Sequence, residues 1–177
     1  MNRRAAGGIG GQLAAEAVFG DHRQILGLKY ESFHVRCPDQ PCPNSVAFQP
    51  RCVVAFRFMH SPAVDDDFHP PALAGGRTPN DKDKCGRFAL SFFDSVDSAR
   101  AKYRSLAQRV DAPNRYGDHI GQMSIGEADG LMSEPSVYGH MDLHPEDAAS
   151  FIGRVAMYYE ANDKGDELSA GAKQHAP

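Results

Sequence analysis

Four segments of the chain carry apolar side chains at alternating positions and stop at Pro, Gly, Asp or Asn: Val53–Phe58, Phe88–Phe93, His119–Ile125 and Val137–Leu143. Segments this short hold no structure alone and must pair into a sheet. An earlier run, residues 30–37, adds a candidate edge strand. Two further segments repeat apolar residues at helical spacing. The first starts at Asp94 or Ser95, either able to cap it, with the stripe Val96, Ala99, Tyr103, Leu106 and Val110. The second starts at His144, with Pro145 at the first helical position and the stripe Ala148, Ile152, Val155 and Tyr159. The expected fold is therefore α+β. It is two-layered: a small, mostly antiparallel sheet with both amphipathic helices packed on one face.

Leu, Ile, Val and Phe together number 34 of 177 residues, which limits the core. The formal charge of −4 is too small, and ten phenylalanines too many, for a wholly disordered chain. It also gives no bulk attraction to nucleic acid or an anionic membrane. No apolar run approaches the roughly 20 residues of a membrane span, and none reads as a signal peptide. A soluble, cytoplasmic protein is expected. Residues 1–24 read as a flexible Ala/Gly-rich arm, 25–160 as the single domain, and 161–177 as a disordered tail. The stretch from Met59 to Cys85 has no periodicity and reads as a long functional loop or a disordered one. The acidic run Asp65, Asp66 and Asp67 within it reads as a solvated tip.

Side chains alternate across a strand, so each strand has two faces. Val54, Phe56, Phe58, Leu90, Phe92, Met123, Ile125, Met141 and Leu143 are assigned to one buried face, to be covered by Leu106 and Ile152 of the helices. The opposite face then collects Arg57, Ser91, Gln122, Ser124, Tyr138, His140 and Asp142. The plain alternative is an idle wet face. Such faces usually carry Lys, Glu and Thr, whereas this one carries groups that make directed hydrogen bonds. Arg57 would anchor a phosphate or carboxylate through paired bonds. His140 would act as acid or base, oriented by Asp142 or Tyr138. His119 falls on the other face from His140, so the two do not pair.

The order of a strand bearing Arg57, a strand with Ser91 running into a helix, and a strand followed by Glu127 resembles the Arg–Ser–Glu layout of ADP-ribosyltransferases. In that family these positions hold NAD and orient the nicotinamide ribose, which adds Glu127 as a candidate catalytic residue. The resemblance covers three residues. Leu90-Ser91-Phe92 stands where the family has Ser-Thr-Ser, and Ile125 stands where it has an acid or Gln. No cofactor follows from the residues themselves.

Two functions follow. One is a small enzyme acting on a nucleotide or other phosphate-bearing substrate, with the Met59–Cys85 loop as cover. The other is a non-catalytic module that binds a protein partner on the polar face, on an open sheet edge or through the N-terminal arm. The cysteines are Cys37, Cys42, Cys52 and Cys85, with His34 just before the first. Their spacing matches no familiar zinc pattern. Dispersed, reduced thiols rank above a four-cysteine zinc site, and zinc above disulfides, so no metal residue is assigned. Cys52 and Cys85 would meet only if their following strands ran parallel.

Overall fold

The computed structural model describes residues 27–35, 42–44, 46–73, 85–109 and 111–163. Seven strands form one antiparallel sheet: β1 (Phe48–Gln49), β2 (Val53–Met59), β3 (Leu90–Phe93), β4 (His119–Ile125), β5 (Gly130–Ser133), β6 (His140–Pro145) and β7 (Met157–Glu160). Their order across the sheet is β1-β5-β6-β3-β2-β4-β7. Among the described residues three α-helices accompany them: α1 (Glu31–His34), α2 (Val96–Ala107) and α3 (Ala112–Tyr116). No helix among the described residues is long and apolar enough to cross a membrane.

The four expected strands all exist, and β4 has its expected ends. Helix α2 begins as its sequence dictates. Ser95 is extended at the N-cap and its hydroxyl accepts a hydrogen bond from Ser98 N at 3.2 Å. Ala99 and Tyr103 of its stripe are fully buried, and the Tyr103 hydroxyl donates to Gly117 O at 2.9 Å. Val110 lies outside the described residues, as do 1–24, Cys37 and 164–177. Ala161, assigned to the tail, is fully buried and its N–H donates to Asp118 O.

Residues 144–159 are not a helix. Strand β6 continues through His144 and Pro145, which pair with Leu131 and Gly130. Pro145 lacks an N–H, but its carbonyl accepts from Lys29 N. Gly153 then turns at φ +79°, and the β-favouring Met-Tyr-Tyr-Glu run forms β7 beside β4. The expected stripe fails accordingly: Ala148 and Ile152 are exposed, while Phe151 is buried and Ala149 packs beside it in the core. Residues 30–35 are no edge strand either, since Tyr30 leads into α1, and residues 36 and 37 lie outside the described set.

The pairing fixes the faces. Leu90, Phe92, Met123, Ile125, Met132, Met141 and Leu143 share one buried face with Ala55 and Met59. No helix among the described residues covers this face. Phe68 and Phe151 do, their rings 5.6 Å apart, from the loops after β2 and β6. Helix α2 packs on the other face, against Phe56, Phe58, Phe93 and Ile120. Both faces are thus partly covered, and β2 is turned relative to the expected alignment. Phe56 and Leu106 lie across the sheet from Leu90, Ile125 and Met141. Each Leu, Phe or Met fully buried here contributes about 1.5–3 kcal/mol. That makes the loop-covered face a major part of the core.

Candidate functional site

Turning β2 removes Arg57 from the polar face. Its side chain lies on the loop-covered face, 5.6 Å above the Phe92 ring. Its Nε donates to Asp67 O at 2.6 Å, Nη1 to Ser91 O at 2.6 Å, and Nη2 to His69 O at 3.4 Å. Burial pushes the guanidinium down to about 10, opposed by Asp67 and Tyr30, so it stays charged at neutral pH. It binds the backbone of the 60–73 loop. Asp67 completes that loop, accepting from His60 N, His60 Nδ1 and Val64 N at 3.1, 2.8 and 2.9 Å. Asp65 and Asp66 are exposed as expected, but Asp67 is buried by these bonds. The described part of the loop covers the face opposite His140, and residues 74–84 lie outside the described set.

Ser91, Gln122, Ser124, His140 and Asp142 do share a face, but α2 divides it, and Tyr138 lies off the sheet in the turn before β6. Gln122, Phe56, Phe93 and His140 form one row across four strands. At about 4.8 Å per strand, Gln122 and His140 stand roughly 14 Å apart, with two phenylalanines between. Gln122 Oε1 accepts from the Tyr159 hydroxyl at 2.8 Å. Ser124 is exposed beside Val54. Glu127 is exposed in a turn beyond β4 and does not join Arg57 or Ser91. The Arg57–Ser91–Glu127 constellation is therefore not assembled.

What the structure does bring together is His140, Asp142 and Ser91. Asp142 lies opposite Ser91, and its Oδ1 is 3.7 Å from His140 Nε2. Burial raises the Asp142 carboxyl above its ordinary range, and His140 opposes this. The His140 ring meets Phe93 edge-on at 5.5 Å. It stands at the wall of an open groove of about 870 Å³ between α2 and the turn before β6. Phe93, Asp94, Asp97, Lys102, Val137 and Tyr138 are among its walls.

The turn is held from inside. Ser136 O accepts from Gly139 N at 2.8 Å, and Ser136 Oγ accepts from Tyr138 N and His140 N. Gly139 sits at φ +70°, and a Cβ there would collide with Asp94, just before α2, and with Ser98 in its first turn. Glycine thus lets the turn press against the helix. Its tip projects Val137 at 93% and Tyr138 at 83% exposure.

A second cluster lies where α1, residues 42–44, the turn Cys85–Phe88 and β6 meet. Cys42 and Cys85 form a disulfide, with Cα atoms 5.5 Å apart. This corrects the expectation of dispersed, reduced thiols. Strands β2 and β3 run antiparallel, so Cys52 and Cys85 start at opposite ends, and Cys52 is free and exposed. His34 Nδ1 lies 3.4 Å from Cys42 Sγ, and His144 Nε2 lies 3.7 Å from Cys85 Sγ. Both imidazoles are fully buried. Burial pushes His34 down to about 4 and His144 to about 3, so both are neutral at physiological pH. His144 Nδ1 has no hydrogen-bond partner among the described residues.

Neither histidine was assigned to a site from sequence. His34 stands eight residues before Cys42, and His144 continues the alternation His140, Asp142, His144 once β6 is read through Pro145. That alternation was the available signal. The helix-start pattern at His144 concealed it.

Comparison with family models, with curated proteins and with solved structures returned no match.

Proposed function

We propose that this domain is a non-catalytic binding module that holds a basic, partly apolar segment of a protein partner in the groove between α2 and the Ser136–Gly139 turn. The carrying observation is the hydrogen-bonded turn that presents Val137 and Tyr138 beside Asp94 and Asp97. A tyrosine has only two side-chain torsions to lose on contact and offers a large amphipathic area, and such residues are enriched among those that dominate binding energy. Two carboxylates against Lys102 favour a cationic partner. The groove is open, as a peptide site is, and the arginine expected to hold a phosphate is engaged elsewhere.

The His140–Asp142 contact favours a second reading, proton transfer on a small substrate at the same groove, with His140 as acid or base. The phosphate-bearing substrate loses its support with Arg57, and no cofactor is implied.

The test is selection from a random peptide library displayed on phage. The module reading expects recovered peptides rich in Lys or Arg next to aromatic or aliphatic residues. Tyr138→Ala should weaken them at least tenfold, and Asp97→Asn should weaken them less and flatten their salt dependence. Recovered peptides indifferent to Tyr138→Ala would refute it. His140→Ala leaves peptide affinity within a few-fold on the first reading and abolishes turnover on the second.

A further inference from the structure

We propose that the Cys42, Cys85, His34 and His144 cluster is a Cys2His2 site for one zinc ion, and that the Cys42–Cys85 disulfide is the oxidised form of the same site. Ligand geometry carries this. A tetrahedral zinc with sulfur at about 2.3 Å and nitrogen at about 2.0–2.1 Å sets each sulfur–nitrogen separation near 3.6 Å. The two measured here are 3.4 Å for Cys42 with His34 and 3.7 Å for Cys85 with His144. The ligand atoms of His34, Cys85 and His144 all lie within 4.8 Å of one another. For a cation to enter, the sulfur–sulfur bond has to open, the Cys42 sulfur to turn toward His144, and the remaining separations to draw in from as much as 4.8 Å.

The surroundings suit such an ion. Two thiolates balance a divalent charge and two neutral imidazoles add none, so the loaded site is neutral where a net charge would be costly. The His34 and His144 rings meet edge-on at 4.7 Å. Phe48 meets the His144 ring edge-on at 4.8 Å and Phe88 lies edge-on to His34 at 6.2 Å, so aromatic rings flank both buried imidazoles. Two sulfurs and two nitrogens in tetrahedral array select zinc among common divalent cations. The four ligands come from separate pieces of chain, and the neighbouring apolar cluster is only Leu28 and Leu131 with Phe48. The ion would tie α1 and residues 42–44 to the β6 side of the sheet.

The two forms interconvert by thiol–disulfide exchange. A dithiol reductant gives two electrons and two protons: its own thiols become a disulfide, the Cys42–Cys85 bond breaks, and two thiols form. Zinc then displaces both thiol protons to solvent. A disulfide oxidant reverses the step and releases the ion. A reducing compartment thus holds the metal form and an oxidising one the disulfide.

The experiment uses the full chain, reduced with dithiothreitol and freed of metal, and titrated with cobalt(II) and then zinc. The expected result is one cobalt per chain, with the intense visible bands of a tetrahedral site and a thiolate charge-transfer band, displaced by one zinc. The oxidised chain should bind none. A Cys37→Ser, Cys52→Ser double variant should keep the same stoichiometry and spectrum, and Cys85→Ser should lose the charge-transfer intensity. His144→Gln should shift the bands if the chain still folds. A reduced chain that keeps its circular dichroism yet binds no cobalt would overturn the proposal. Loss of the spectrum in the Cys37, Cys52 double variant would overturn it equally.

Discussion

Arg57 shows how one residue's role turns on the direction of its strand. In sequence it is a cation ending an apolar run, suited to an anion. In the fold its three donors meet the carbonyls of Asp67, Ser91 and His69, and no donor group faces the groove. A side chain so used supports structure. Arg57→Met leaves these carbonyls short of donors and should cost about 2–4 kcal/mol in urea unfolding, with peptide binding at the groove unchanged. Arg57→Lys should recover less than half, because an ammonium cannot reproduce the planar fork. A loss below about 0.5 kcal/mol would show that the arginine is idle. His34 and His144 teach the converse. Each is unremarkable in sequence, and each gains meaning from a neighbour more than seven residues away in the chain.

At the scale of elements, four strands were legible, and the second expected helix does not form. Alternation with clear stops defined β2, β3, β4 and β6. Strands β1, β5 and β7 have two to four residues each and carry too little pattern to stand out. Helix α2 declared itself through Ser95 and its apolar spacing. The His144–Tyr159 segment carried the same kind of signal, but tertiary pairing overrode it: Pro145 and His144 complete β6, and Gly153 breaks the stripe. The resulting loop is fastened by Arg154. Its Nη1 and Nη2 donate to Asp129 Oδ1 and Oδ2 at 2.7 and 2.8 Å, and Asp129 Oδ2 also accepts from Gly126 N at 2.7 Å. Arg154, then Gly126, hold the Asp129 carboxyl below its ordinary range. Its contribution to stability is therefore complete above about pH 4 and is lost as pH falls through the lower folded value. Arg154→Gln should lower stability by about 1 kcal/mol at pH 6, given the partial exposure of the arginine. At pH 2 the two proteins should converge. Thermal melts from pH 6 to pH 2 that stay parallel would contradict this.

At the scale of the molecule, the α+β class and the antiparallel sheet followed from alternation, but the layering did not. Alternation defines two faces for each strand and leaves open which faces of different strands agree. For β3, β4 and β6 the apolar sets did align. Strand β2 is apolar on both faces, with Val54, Phe56 and Phe58 against Val53, Ala55 and Met59, so composition could not orient it. Register settles the matter: Phe56 stands opposite Phe93 and Gln122, beneath α2. The consequence is a molecule in which loops and Arg57 close one face. On the other, α2 separates Gln122 and Ser124 from His140, Asp142 and the groove. Amide chemical-shift mapping is the direct test of the binding role proposed for the groove. The protein is labelled with nitrogen-15 and titrated with a basic, aromatic peptide recovered from the library selection. The account predicts saturable shifts confined to Phe93–Ser105 and Ser136–His140, with Arg57, Asp67 and Glu127 unmoved. Shifts centred on Arg57 and the 60–73 loop, or none at saturating peptide, would contradict it.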